Sequence, residues 1–115
     1  MTPQEKERTR MKADVFKALG NPVRLGIVEL LEGGELCVCD IVDHVGTDMS
    51  NVSKHLSILK KQGIVVDRRE GLKIFYSLTM PCVLEFSGCV EGVLFNRFDE
   101  QRAVMAGCGS PACRR

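Results

Sequence analysis

The sequence predicts a mostly helical fold carrying one small β-hairpin, and two changes of pattern along the chain carry that prediction. Apolar residues recur at three- and four-residue spacing as far as Leu59, give way to β-branched and aromatic runs after Gly63, and return to helical spacing beyond Pro81. Glycine or proline stands at nearly every junction between these stretches. At 115 residues the chain has the length of one domain. Small domains bury a modest share of their surface, so a second copy that completes the core is expected.

From Thr2 to Leu19 the residues are good helix formers, with Met11, Val15, Phe16 and Leu19 on one face and Gly20 as a stop. Asn21 then offers an N-cap to a second helix that has Pro22 at its first position. Val23, Ile27, Leu30 and Leu31 share its stripe before Gly33 and Gly34. Within Glu35–Val45 the apolar positions Val38, Ile41, Val42 and Val45 predict a short third helix closed by Gly46. Asp48 caps a fourth, from Met49 to Gln62, whose buried stripe is Val52, Leu56 and Leu59. Two short helices joined by Gly46-Thr47-Asp48 make a helix-turn-helix candidate.

Ile64–Asp67 and Lys73–Leu78 predict two strands, with Arg69-Glu70-Gly71 as the turn. Beyond Pro81, the residues Val83, Phe86, Val90, Val93 and Leu94 predict a last helix to about Asn96, apolar enough to suggest a dimer interface. The order α-α-α-α-β-β-α is the winged helix-turn-helix arrangement. Residues 1–97 are read as this DNA-binding and dimerisation domain. Residues 98–115 are read as a flexible tail, because Gly107, Gly109 and Pro111 surround Cys108 and Cys113.

Composition excludes several classes. The apolar runs Ile64–Val66 and Val93–Phe95 are far too short to span a bilayer, and the first residues have no apolar signal core. A cytoplasmic location without membrane contact is expected. In that compartment six cysteines read as thiols rather than a disulfide framework. Cys37-Val38-Cys39 lacks the two-residue spacer of disulfide oxidoreductases, and neither a phosphate-binding glycine loop nor a nucleophile elbow is present, so no enzyme is expected. The net charge of +1 gives no global attraction to nucleic acid, which leaves DNA contact to local clusters.

Such clusters exist. At the start of the fourth helix, Ser50, Asn51 and Ser53 are of the types that read base edges, and Lys54 suits a phosphate. His55 fits a base contact, a phosphate contact or a buried hydrogen-bonded ring. Arg68, Arg69 and Lys73 form a basic patch around the hairpin tip. The expected partner is double-stranded operator DNA.

Leu19-Gly20-Asn21-Pro22-Val23-Arg24-Leu25, Glu35-Leu36-Cys37-Val38-Cys39-Asp40, Val52-Ser53-Lys54-His55-Leu56-Ser57-Ile58-Leu59-Lys60 and Gly71-Leu72-Lys73-Ile74-Phe75-Tyr76-Ser77-Leu78 follow one another in this order. In this the chain resembles the ArsR/SmtB family of metalloregulatory repressors, from Val15 to Phe95. The resemblance implies a winged-helix homodimer, paired through its first and last helices, that represses a resistance or efflux operon and leaves DNA when metal binds.

The segment Glu35–Asp40 is similar to the metal-binding box of the family's arsenite and cadmium/lead branches. Thiolates are soft donors, so Cys37 and Cys39 suit As(III) or Sb(III), with Cd(II), Pb(II) and Zn(II) as alternatives. Residues two apart on a regular helix point to nearly opposite sides, so both can hold one ion only if the first helical turn is distorted or unformed. Arsenite repressors often carry another cysteine three residues after the second, where this chain has Val42. A third ligand must come from elsewhere. Cys108 and Cys113 are the candidates, the alternatives being a separate site or plain tail residues. Cys82 and Cys89 share a face of the last helix and read as small interface residues. The zinc branch's last-helix site is not matched, since Met80, Val93 and Asn96 stand where it has ligands. Oxidation of the same thiols in a redox-sensing repressor is the remaining alternative.

Overall fold

The computed structural model describes residues 1–102, with side chains to Asn96. Two units are distinguished, residues 1–80 and the segment from Pro81 onward. The first unit opens with α1 (Pro3–Leu19), where Thr2 and Glu5 cap one another reciprocally, and continues with α2 (Pro22–Leu30), where the Asn21 side chain accepts from the N–H groups of Val23 and Arg24. A single 3-10 turn over Leu31–Gly33 leads to Gly34, whose φ of 120° lies in a region that favours glycine. There follow β1 (Leu36–Cys37), α3 (Val38–Val45), α4 (Met49–Lys61), β2 (Val65–Glu70) and β3 (Lys73–Leu78). The second unit contains α5 (Cys82–Arg102).

The expected architecture is observed, with three local differences. The third helix begins at Val38, because Leu36 and Cys37 are extended and pair with the hairpin. The wing is consequently a three-stranded antiparallel sheet in the order β1-β3-β2. The hairpin is also longer than predicted. Arg69 and Glu70 extend β2, and the reversal falls on Gly71, at φ 63°, and Leu72. Finally, α5 continues past Asn96 to Arg102. Cys108 and Cys113, with most of the predicted tail, lie outside the described residues.

The core belongs to the first unit. Ile27 and Val28 of α2, Ile41 of α3, Val52, Leu56 and Leu59 of α4, and Ile64 are fully enclosed, and Ala18, Leu31, Cys37 and Val65 join them. Ile27, Leu31, Ile41, Val52, Leu56 and Leu59 are among the apolar positions whose helical spacing defined the stripes, whereas Met11 and Phe16 of the first helix's apolar face are exposed. Burial of such side chains is worth about 1.5–3 kcal/mol each, which roots α4 on α2 and α3 by its inner face. Among the described residues no helix is long and apolar enough to cross a membrane.

Candidate DNA-binding face and cysteine site

Asp48 starts α4 by accepting the Asn51 N–H on Oδ1 at 2.7 Å. With Val52, Leu56 and Leu59 facing inward, the opposite face carries Ser50, Ser53 and Lys54, all exposed. Asn51 is half-buried, and its Nδ2 donates to Thr47 Oγ1 at 3.1 Å, which orients the amide from the turn before the helix.

His55 is held differently from its neighbours. Its ring is half-buried, and Arg24 Nη1 lies 3.2 Å from Nδ1. A guanidinium can only donate, so Nδ1 accepts and the ring proton sits on Nε2. Burial, followed by the charges of Arg24 and Lys54, pushes the His55 pKa below its ordinary value. Arg24 is itself oriented by donation from Nε to the Ala18 carbonyl. The sequence marked Arg24 only as part of a motif; nothing local announced a partner 31 residues away.

On the wing, the three basic residues separate into two kinds. Arg68 gives Nε and Nη2 to the two carboxylate oxygens of Glu35 at 2.7 and 2.6 Å, gives Nη1 to Glu70 at 2.8 Å, and lies 4.7 Å from the centre of the Phe75 ring. Donation to Glu35 and then Glu70 holds the guanidinium more firmly charged than usual, and the Glu35 carboxyl is held below its ordinary range by the same bond. Arg69 and Lys73 are exposed and form no ion pair among the described residues. The structure thus brings Lys54, Arg69 and Lys73 forward as available cations and engages Arg68 internally.

The cysteine pair straddles the start of α3. Cys37 is 6% exposed and lies outside the helix, with φ −78° and ψ 159°, and its Sγ caps the helix by accepting the Asp40 N–H at 3.4 Å. Cys39 is exposed in the first turn. Only Cys39 is helical, so the separation of about 200° expected of two cysteines on a regular helix does not apply, and the Cys37 Sγ is buried whereas Cys39 is exposed. The Asp40 N–H favours the Cys37 thiolate, but the Asp40 side chain and burial outweigh it and push the thiol pKa up. Among the described residues no group of three or more cysteine, histidine or acidic side chains could hold a metal ion. His44 is exposed and donates from Nδ1 to the Asp40 carbonyl at 3.0 Å, and Cys82 and Cys89 are exposed on α5.

A capped helix with a polar outer face, rooted on two others and followed by a three-stranded wing with free cations, defines a winged helix-turn-helix DNA-binding regulator. The comparisons with known proteins give its family. The profile described as "Bacterial regulatory protein, arsR family" matches residues 21–66. The HTH-type transcriptional regulator MJ1325 of Methanocaldococcus jannaschii is 43% identical over 86 residues, 74% of this chain and 97% of that protein. The arsenical resistance operon repressor of Escherichia coli is 42% identical over 66 residues, 56% of either chain. A cadmium resistance regulatory protein CadC homologue of Staphylococcus aureus is 43% identical over 67 residues, 57% of this chain and 55% of that one. Among solved structures, the homodimeric winged helix-turn-helix domain Mb0332 of Mycobacterium bovis superposes with a TM-score of 0.76 at 30% identity, covering 87% of this chain and 93% of that one. The chain belongs to the arsR family of DNA-binding transcriptional regulators, which are not enzymes.

Proposed function

We propose that this protein is a homodimeric cytoplasmic repressor that binds operator DNA through Ser50, Asn51, Ser53, Lys54, Arg69 and Lys73 and is released when As(III) or Sb(III) engages Cys37 and Cys39. The observation that carries the reading is the position of Cys37 as the cap of α3, because α3 supports α4. Cys37 is 6% exposed and its Sγ already accepts the Asp40 N–H, so a ligand that draws this sulfur toward Cys39 acts on the cap of the helix beneath the DNA-reading face. Arsenous acid loses one hydroxyl as water for each thiol that joins it, so no net proton is released, whereas Cd(II), Pb(II) or Zn(II) displaces the thiol protons into solvent and its affinity rises with pH. Cys108 and Cys113 are the proposed source of the remaining ligands. His55 and Arg68 are assigned to positioning α4 and the wing. The arsenical and cadmium relatives support a thiophilic effector and divide over which one, so Cd(II), with Pb(II) and Zn(II), is the second reading.

The test is titration of the reduced protein, bound to a fluorescent fragment of its own promoter, with arsenite and separately with Cd(II), Pb(II), Zn(II) and hydrogen peroxide. Release near one equivalent of arsenite per site supports the reading. Release by Cd(II) alone moves the effector to the second reading, and release only by peroxide makes the protein a redox sensor.

A further inference from the structure

We infer that Glu35 and Arg68 link the cysteine pair to the wing, so that the state of Cys37 and the engagement of the hairpin with DNA act on each other. This rests on the sensor reading above. The register supplies the first argument. Cys37 lies opposite Phe75, and Phe75 lies opposite Arg68, so one row across the sheet runs from the buried thiol to the arginine. Residues directly opposite in antiparallel strands share a face. The Arg68 guanidinium stacked near the Phe75 ring completes the row with a side-chain contact.

The second argument is the clamp. β1 contains only two residues, and a ladder that short has few backbone bonds to hold it. Glu35, the residue before β1, adds a bidentate hold on Arg68 of β2, reaching across β3. Bidentate pairing fixes orientation as well as position. Three of the five N–H donors of Arg68 are taken by two carboxylates, which also offset its charge toward a phosphate. Its place in the fold is that of a tie between strands, and the cations free to meet the DNA backbone are its neighbours Arg69 and Lys73.

The consequence follows from the conformation of Cys37. Turning its Sγ out of the core toward Cys39 rotates an extended residue paired with Phe75, and that motion pulls on β3 directly and on β2 through Glu35 and Arg68. Coupling between two sites is reciprocal. A wing held by DNA resists the motion, and Cys37 should then be harder to expose.

The experiment measures alkylation of Cys37 by iodoacetamide, followed by peptide mass spectrometry, with and without a duplex of the protein's own promoter. In the wild type the duplex should slow Cys37 alkylation about fivefold, the lower end of usual coupling. In Glu35→Gln the basal rate should rise, and protection should fall below about twofold. Arg68→Lys, which keeps the charge but loses the fork, should behave in the same way. Equal protection in all three proteins overturns the link, as does a wild-type rate indifferent to the duplex. A parallel Cd(II) titration of the wild type, read by thiolate–metal absorbance, tests the sensor reading separately. Absence of Cd(II) and arsenite binding together with Glu35-dependent protection removes the sensor and keeps the link, whereas ion binding without Glu35-dependent protection does the reverse.

Discussion

Arg24 Nη1 donates to His55 Nδ1 over 3.2 Å, joining α2 to the middle of the helix that carries the polar outer face. The bond requires a neutral imidazole, and burial with two nearby cations lowers the native pKa of the ring from 6.5. The unfolded chain then binds the proton more readily than the folded one. Stability from this source is complete above about pH 6.5 and is lost as the pH falls toward the lowered native value. Thermal denaturation at pH 7.5 and 5.5, in wild type and His55→Gln, should show a decline with acid that the variant reduces. Identical declines would assign the effect to other groups.

Lys54 and Arg69 are exposed without ion-pair partners among the described residues, whereas Arg68 is held by Glu35 and Glu70. Replacing Lys54 or Arg69 by alanine should weaken binding to all duplexes and reduce the magnitude of the salt slope by about 1 each. Arg68→Lys should leave that slope close to the wild-type value. A loss of slope at Arg68 equal to that at Arg69 would make Arg68 a phosphate contact.

Serine is a strong helix cap, so Cys37→Ser keeps an acceptor for the Asp40 N–H, which offsets the cost of burying a hydroxyl there, while losing one thiolate. Cys37→Ser and Cys39→Ser are both expected to keep promoter affinity and to lose release by arsenite or Cd(II). Fluorescence anisotropy of the promoter complex measures both quantities. Release at wild-type ion concentrations in both variants would remove the pair from the site.

Leu56 has no solvent exposure and lies one position beyond His55 on the inner face of α4. Leu56→Ala should cost about 2–5 kcal/mol, read as a lower urea midpoint at unchanged slope. A cost under about 1 kcal/mol would mean that the site collapses around the loss.

α4 was legible from sequence because its specification is local. Asp48 announces the start, and Val52, Leu56 and Leu59 mark one face within a few turns. β1 was not legible for the opposite reason. Leu36 and Cys37 are extended by virtue of Tyr76 and Phe75, about forty positions later, and cysteine is not among the residue types that signal a cap. The hairpin was recognised, but its turn was misplaced toward Arg69, since charged side chains suit a twisted edge strand as well as a turn and only Gly71 requires the reversal. Of the candidate residues, the polar face of α4 could be read directly. The internal engagement of His55 and Arg68 could not, because Arg24 and Glu35 reach them across 31 and 33 residues.

Tyr76 occupies the central strand between Leu36 and Asp67, in the row beside that of Cys37. The chain has one tyrosine and no tryptophan, so the emission excited beyond the phenylalanine absorption originates at that one place. The protein thereby carries an optical reporter at the junction of the cysteine box and the wing. Any rearrangement of β1 can be followed in real time, in the unlabelled native chain, as a change in the light from a single phenol.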